Sequence, residues 1–146
     1  MLTYADVIEA LTGQRPEGAS LLISEAAIDS RQVIPAGMFV ALPGERVDGH
    51  DYVQQAFERG AHLALIEKEI SYRCAVVDIR AGEAAAPEMT LPNPPFCLRV
   101  EHTLPARQKI AAFWGRKLDV RVVGITGSVG KSTTKELIAE VLSQRY

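Results

Sequence analysis

The chain has 146 residues, 47% apolar and 23% charged, which is the composition of an ordinary globular protein and not of a disordered or fibrous one. Its 16 Lys and Arg against 18 Asp and Glu leave a net charge of −2, too small and too scattered to argue for a nucleic-acid or membrane partner. A compact chain of this size buries roughly 68–70% of its unfolded surface, so a real core is available, in one domain or in one domain plus part of another.

The opening stretch MLTYADVIEA lacks a basic segment followed by an apolar one, so it does not read as a secretory signal. No apolar run approaches the ~20 residues of a membrane helix. A cytoplasmic location is therefore expected. Thr3 with Asp6 three residues on predicts a helix start, with Tyr4, Val7, Ile8 and Leu11 at helical spacing and Gly13 as the stop. AAID (26–29) reads as a short strand, followed by Ser30-Arg31, and Pro35-Ala36-Gly37 as a turn before the strand MFVAL (38–42).

Pro43-Gly44 ends that strand, and the charged loop ERVDGHD (45–51) leads to a helix with Val53, Ala56 and Phe57 on one face and Gly60 as its stop. LALIE (63–67), AVVDI (75–79) and FCLRV (96–100) read as strands, separated by a proline-rich surface excursion over 80–95. A helix is expected over 104–118 with Ile110, Phe113, Trp114 and Leu118 along one side, then a strand RVVGIT (121–126). A closing helix from about Lys131 carries the stripe Leu137, Ile138, Val141, Leu142. Strands alternating with helices, and strands that are apolar nearly throughout, predict an α/β fold. The two cysteines, Cys74 and Cys97, lie on strand-like segments without metal-type spacing and read as reduced core thiols. His62 and His102 read as surface residues, and Trp114 as core.

The stretch VVGITGSVGKSTTKE (122–136) carries the sharpest chemistry. Gly127, Ser128, Val129 and Gly130 form a loop whose backbone N–H groups can converge on an anion, reinforced by the dipole of the helix behind them. Lys131 can reach the β- and γ-phosphates of ATP, Ser132 can ligate Mg²⁺ through its hydroxyl, and Thr133 completes the first turn. The spacing departs from G-x-x-x-x-G-K-[ST], because Ile125 stands where that pattern has its first glycine. The bland alternative is a glycine-rich strand-to-helix turn with a surface lysine.

Written G-I-T-G-S-x-G-K-S-T-T, the loop resembles that of the Mur ligases, the ATP-dependent amide-forming enzymes that build the peptidoglycan stem peptide. The tail TTKE (133–136) is most similar to the member whose amine substrate is D-alanyl-D-alanine, with Val129 where asparagine is common. A second resemblance lies far away in sequence. DSRQVIPAGMFVALPGERVDGHDYVQQAFERGAHLALIE (29–67) is similar to the family's uridine-nucleotide-binding domain, through D-[ST]-R, G-x-x-F-[VF]-A-L-x-G, D-G-H-[DE]-[YF] and A-x-x-x-G-A in order. VEHTLPARQKIAAFW (100–114) resembles the family's D-T-L-x-A-L segment with departures at Glu101-His102 and Pro105-Ala106-Arg107.

The resemblance implies a small N-terminal UDP-sugar-binding domain over 1–101, followed at 102–146 by the first strand, phosphate loop and helix of a central ATP-binding domain. It implies that Ser30, Arg31, Gly44, Asp48, Gly49 and His50 contact a UDP-N-acetylmuramoyl peptide. Lys131 is then the catalytic charge that steadies the transferring phosphoryl group. On their own chemistry Ser30 can donate to a uracil or ribose oxygen, and Arg31 offers a planar fork for phosphate. The alternatives are a strand-end turn with a surface ion pair for Asp29-Ser30-Arg31. For Asp48-Gly49-His50-Asp51 they are a turn with Asp51 capping the next helix, or, least well supported by spacing, a metal site.

The expectation is thus an N-terminal piece of an ATP- and Mg²⁺-dependent ligase that joins D-alanyl-D-alanine to a UDP-muramoyl tripeptide, inactive alone. Its unfinished second domain is expected to rest on the first, to self-associate, or to be disordered. The competing readings are a ligase adding a single amino acid, a non-catalytic sensor of UDP-sugar precursors, and a small P-loop kinase.

Overall fold

The computed structural model describes residues 1–80, 91–118 and 120–144. The first helix, α1 (Tyr4–Thr12), forms as its signature predicts. The Thr3 side chain accepts from the Asp6 N–H, while the Asp6 carboxylate accepts from the Thr3 N–H at 2.9 Å, a reciprocal capping box. Two very short strands flank it, β1 (Leu2–Thr3) and β2 (Leu22–Ile23), paired antiparallel into a ribbon that periodicity did not reveal.

A five-stranded parallel sheet makes the centre: β3 (Ala26–Ala27), β4 (Met38–Val40), β5 (Leu63–Ile66), β6 (Ala75–Asp78) and β7 (Phe96–Arg99), in the order β3-β4-β5-β7-β6. Along β4, β5 and β7 alternate side chains enter opposite layers, so a continuous apolar run is what a strand buried on both faces requires. Met38, Val40, Leu63, Leu65, Phe96 and Leu98 meet Tyr4, Val7 and Ile8 of α1 on one face. Phe39, Ala64, Ile66 and Cys97 meet Val53, Ala56 and Phe57 of α2 (Val53–Glu58) on the other. The Tyr4 and Phe96 rings cross edge-to-face at 5.5 Å, and burial pushes the Tyr4 phenol up to about 12.

The helix α3 (Thr103–Lys117) returns across α1. Its buried face is Thr103, Ala106 and Ile110; Phe113 and Trp114 are half-buried and Leu118 is exposed, so the expected stripe enters the core only at its first half. Ala106 and Ile110 belong to the same apolar layer as α1. The far end of α3 is tied back by charge: Asp6 accepts from Lys117 Nζ at 2.7 Å and from Arg15 at 2.8 Å. Burial works to raise the Asp6 carboxyl, but these bonds and those from Thr3 outweigh it and hold the group well below the usual carboxylate range.

Beyond α3 the character changes. Residues 121–126, expected as a strand, pair with nothing among the described residues and form no strand; Val122 is 88% exposed. A strand is defined by its ladder partner, and apolar β-branched residues alone do not supply one. The last helix, α4 (Lys131–Ser143), does form, yet none of its residues is buried, and Leu137 and Val141 are 58% and 68% exposed.

The proline-rich excursion is seen only at its ends, since 81–90 lie outside the described residues. Cys97 is buried and Cys74 half-buried, both free. His62 is half-buried, not at the surface, whereas His102 is exposed. Among the described residues no helix is long and apolar enough to cross a membrane.

Candidate nucleotide cleft and phosphate loop

Open parallel sheets expose the carboxyl ends of their strands, and ligands bind in the crevices there. At the carboxyl ends of β3 and β4 lies a cleft of about 620 Å³, a size suited to a small organic ligand. One wall is the segment leaving β3, Ile28 to Arg31; a second is the loop leaving β4, including Leu42, Pro43, Gly44, Val47 and Gly49. Tyr52 and Gln55 close the third side, with Phe39 at the base.

Asp29 caps a 3₁₀ turn over Ser30–Gln32, accepting from the Arg31 N–H at 3.0 Å. The same carboxylate grips the Arg31 guanidinium through Nε at 3.0 Å and Nη2 at 2.8 Å, which holds the Asp29 carboxyl down at about 2. The Arg31 side chain stays 80% exposed at the cleft edge. Ser30 is buried and donates its hydroxyl to Gln55 Oε1 at 2.5 Å, so the two polar groups reach the cleft as a pair.

Backbone crowding requires both loop glycines. A Cβ on Gly44 would stand 2.4 Å from the Val47 carbonyl oxygen, and one on Gly49 2.8 Å from the Leu42 nitrogen. They shape the wall by letting the loop fold on itself.

Asp48 and His50 do not line the cleft; they brace it from behind. Asp48, not Asp51, is the cap here, accepting from the His50 N–H at 2.9 Å at the head of a 3₁₀ turn over Gly49–Tyr52. His50 is 4% exposed, with Nδ1 2.6 Å from Asp48 Oδ1 and Nε2 accepting from the Glu67 N–H at 3.0 Å. A backbone N–H can only donate, so Nε2 is bare and the ring proton sits on Nδ1, pointing at Asp48. Both ring nitrogens are engaged, which removes the expected direct contact from His50 to a diphosphate.

Lys68 donates to the other Asp48 oxygen. Burial works to raise the Asp48 carboxyl, but the bonds from Lys68 and His50 outweigh it and hold it well below its ordinary range. The brace continues through Glu67, whose carboxylate accepts from the Thr103 N–H at 2.7 Å and hydroxyl at 2.9 Å, and so caps α3. Among the described residues no group of three His, Cys, Asp or Glu is arranged to hold a metal ion.

Tyr52 and Gln55 were missed by sequence reasoning. Their signal was present: they stand three residues apart at the start of α2, and such a pair shares one helix face.

The phosphate loop stands apart from this cleft. Gly130 adopts a left-handed conformation (φ 81°) and heads α4 without any side-chain cap, so the first N–H groups of the helix are left open. Gly127 also has positive φ, at 148°. Lys131 Nζ donates to the Gly127 carbonyl, and Thr134 Oγ1 donates to the Gly130 carbonyl at 2.9 Å. Ser128, Val129, Ser132 and Thr133 are exposed. This donor set fits a nucleotide phosphate with its cation: an uncapped helix start, one lysine, and the Ser132 hydroxyl, with the remaining cation ligands left to phosphate and water.

The family described as "Mur ligase family, catalytic domain" matches residues 22–112, more than half of the chain. A UDP-N-acetylmuramoyl-tripeptide–D-alanyl-D-alanine ligase from Synechocystis sp. is 38% identical over 122 residues, covering 84% of this chain and 23% of that protein. The crystal structure of MurF from Acinetobacter baumannii superposes with a TM-score of 0.66 at 27% identity, covering 99% of this chain and 28% of that one. The MurF ligase from Thermotoga maritima, in complex with ADP, gives a TM-score of 0.61 at 28% identity over 86% of this chain and 24% of its own. This chain therefore spans about a quarter of the length of the relatives it matches. The matched segment contains both walls of the cleft and the brace behind it, and the chain belongs to the Mur ligase family.

Proposed function

We propose that this chain is the uridine-nucleotide-binding end and the phosphate loop of an ATP-dependent ligase that joins D-alanyl-D-alanine to a UDP-N-acetylmuramoyl tripeptide, in the cytoplasm, during peptidoglycan synthesis. One observation carries the reading: stretches 29–31 and 42–49, singled out by resemblance, meet in one cleft at the carboxyl ends of β3 and β4. In that cleft Ser30 and Gln55 read the polar edge of the pyrimidine or ribose, Gly44 and Gly49 shape the wall, and Arg31 meets the diphosphate at the rim. Asp48 and His50 act indirectly, by holding the wall.

At the second site the N–H groups of Gly127 to Gly130 and the start of α4 hold the phosphate chain of ATP, and the Ser132 hydroxyl holds Mg²⁺. Bound MgATP supplies the phosphoryl group that activates the substrate carboxylate. Lys131 leaves the Gly127 carbonyl and offsets the negative charge that develops on that group. The two sites correspond to two domains. The boundary expected at 101/102 moves later in this reading, because Ala106 and Ile110 share an apolar layer with α1, which supports a change after Ile110. The uncovered face of α4, with Leu137, Val141 and Leu142, is the surface through which copies of this span self-associate.

A thermal-shift and calorimetric comparison tests the assignment. UDP and UDP-N-acetylmuramoyl tripeptide should stabilise the chain and bind at one site, with Arg31→Ala weakening both. Stabilisation by MgATP with no response to either uridine ligand would favour the kinase reading instead.

A further inference from the structure

We propose that Cys74 and Cys97 form a thiol–disulfide modification site, in which Cys74 meets an outside oxidant and Cys97 closes the internal link. The two are free thiols whose Sγ atoms stand 3.2 Å apart. They come from neighbouring strands of the sheet. Cys97 lies on β7, and Cys74 immediately precedes β6, which pairs with β7 through Ala75 with Phe96 and Val76 with Cys97. The ladder holds the two chains side by side, and the sulfurs need to approach by only about 1 Å more to reach bonding distance.

Their surroundings differ, and the difference sets the order of events. Cys97 has no exposed surface and sits in the apolar layer with Phe39, Ala64 and Ile66. Burial, aided by the neighbouring Cys74 thiol, pushes the Cys97 thiol well up, so it is a poor first nucleophile and out of reach of any bulky reagent. Cys74 is half-buried at the edge of that layer, beside exposed Arg73.

The oxidant is a low-molecular-weight disulfide, RSSR. The Cys74 thiolate attacks one of its sulfurs, the S–S bond of RSSR breaks, and the departing RS⁻ takes up the proton that Cys74 gave up. Cys97 Sγ then attacks Cys74 Sγ, the mixed disulfide breaks, and the second RS⁻ leaves with the Cys97 proton. Two cysteine thiols are oxidised to one disulfide, and one RSSR is reduced to two RSH. The link fastens the edge strand β6 to β7 near the start of their ladder. The cleft does not contain either sulfur, so the inference stands or falls independently of the uridine reading.

The test incubates the folded full chain with oxidised glutathione, traps remaining thiols with an alkylating reagent, and maps the peptides by mass. The wild-type chain should lose the mass of two hydrogen atoms, resist alkylation at both cysteines, and yield a cross-linked Cys74–Cys97 peptide. Cys97→Ser, or Cys97→Ala if the serine does not fold, should stop at a stable glutathione adduct on Cys74. Cys74→Ser should leave Cys97 unmodified. A wild-type chain that keeps glutathione on Cys74 with no internal link would overturn the proposal. So would one whose two thiols both stay alkylatable, or one whose first adduct forms on Cys97. The wild-type peptide map decides the matter even if neither Cys97 variant folds.

Discussion

Residues 2–80 with 91–117, and residues 120–144, contain the same kinds of local signal and meet different fates. In the first region apolar strands find parallel partners, helices cover both faces, and Leu63, Leu65, Leu98 and Val40 are almost wholly buried. In the second, an equally apolar stretch, RVVGIT, finds no partner among the described residues, and none of them covers the stripe of the helix after it. A helix closes its hydrogen bonds within itself, and a strand depends on another segment. The contrast separates what is locally encoded from what needs a neighbour. The same holds for the two sites: the cleft is held from behind by the Asp48–His50–Glu67–Thr103 brace, and the phosphate loop by little beyond its own glycines and lysine.

The sharpest way to break this comparison is to cut side chains in each region. Phe96→Ala should cost about 3–5 kcal/mol in urea unfolding, whereas Leu137→Ala should stay within about 0.5 kcal/mol. Both are measured at dilutions where the chain is monomeric, and equal costs there would mean that α4 is packed against the rest of its own chain. Next in size is the brace. His50→Ala leaves the Glu67 N–H without its acceptor and takes one donor from Asp48, which keeps Lys68 and the residue-50 backbone N–H, so a loss of about 1–3 kcal/mol is expected, with weaker UDP binding measured by calorimetry.

A smaller effect comes from Asp6. Its carboxyl is held below the unfolded value, so the stability it contributes is fully present above about pH 4 and is lost as the pH falls through the folded value. In Asp6→Asn, acid unfolding followed by circular dichroism should flatten over that range, and neutral stability should fall by about 1–2 kcal/mol. The smallest structural effect is expected at Arg31. Its ion pair with Asp29 is solvent-exposed, so Arg31→Ala should leave the melting temperature nearly unchanged while lowering UDP affinity roughly tenfold.

The core and the first helix were legible because each rests on a short-range rule. The Thr3/Asp6 capping box, the continuous apolar runs MFV and LALI, and Gly13 as a stop all appear as read. The β1–β2 ribbon was not legible, because two residues are too few to show a period. At the cleft, Ser30, Arg31, Gly44 and Gly49 line the wall, but His50 was read as facing a ligand when its ring faces inward. Its partner is a backbone N–H 17 residues away, which no local pattern can announce. Strand 121–126 failed for the same reason on a larger scale, since its character depended on a segment that must come alongside it.

The most direct measurement is a titration of the isotope-labelled chain with UDP, followed by amide chemical shifts. The account predicts saturable shifts at Ile28, Ser30, Gly44, Gly49 and Gln55, with Val122 to Thr133 unmoved. Shifts confined to Gly127–Thr133, or no shifts at all at UDP concentrations that saturate a relative from the same family, would contradict it.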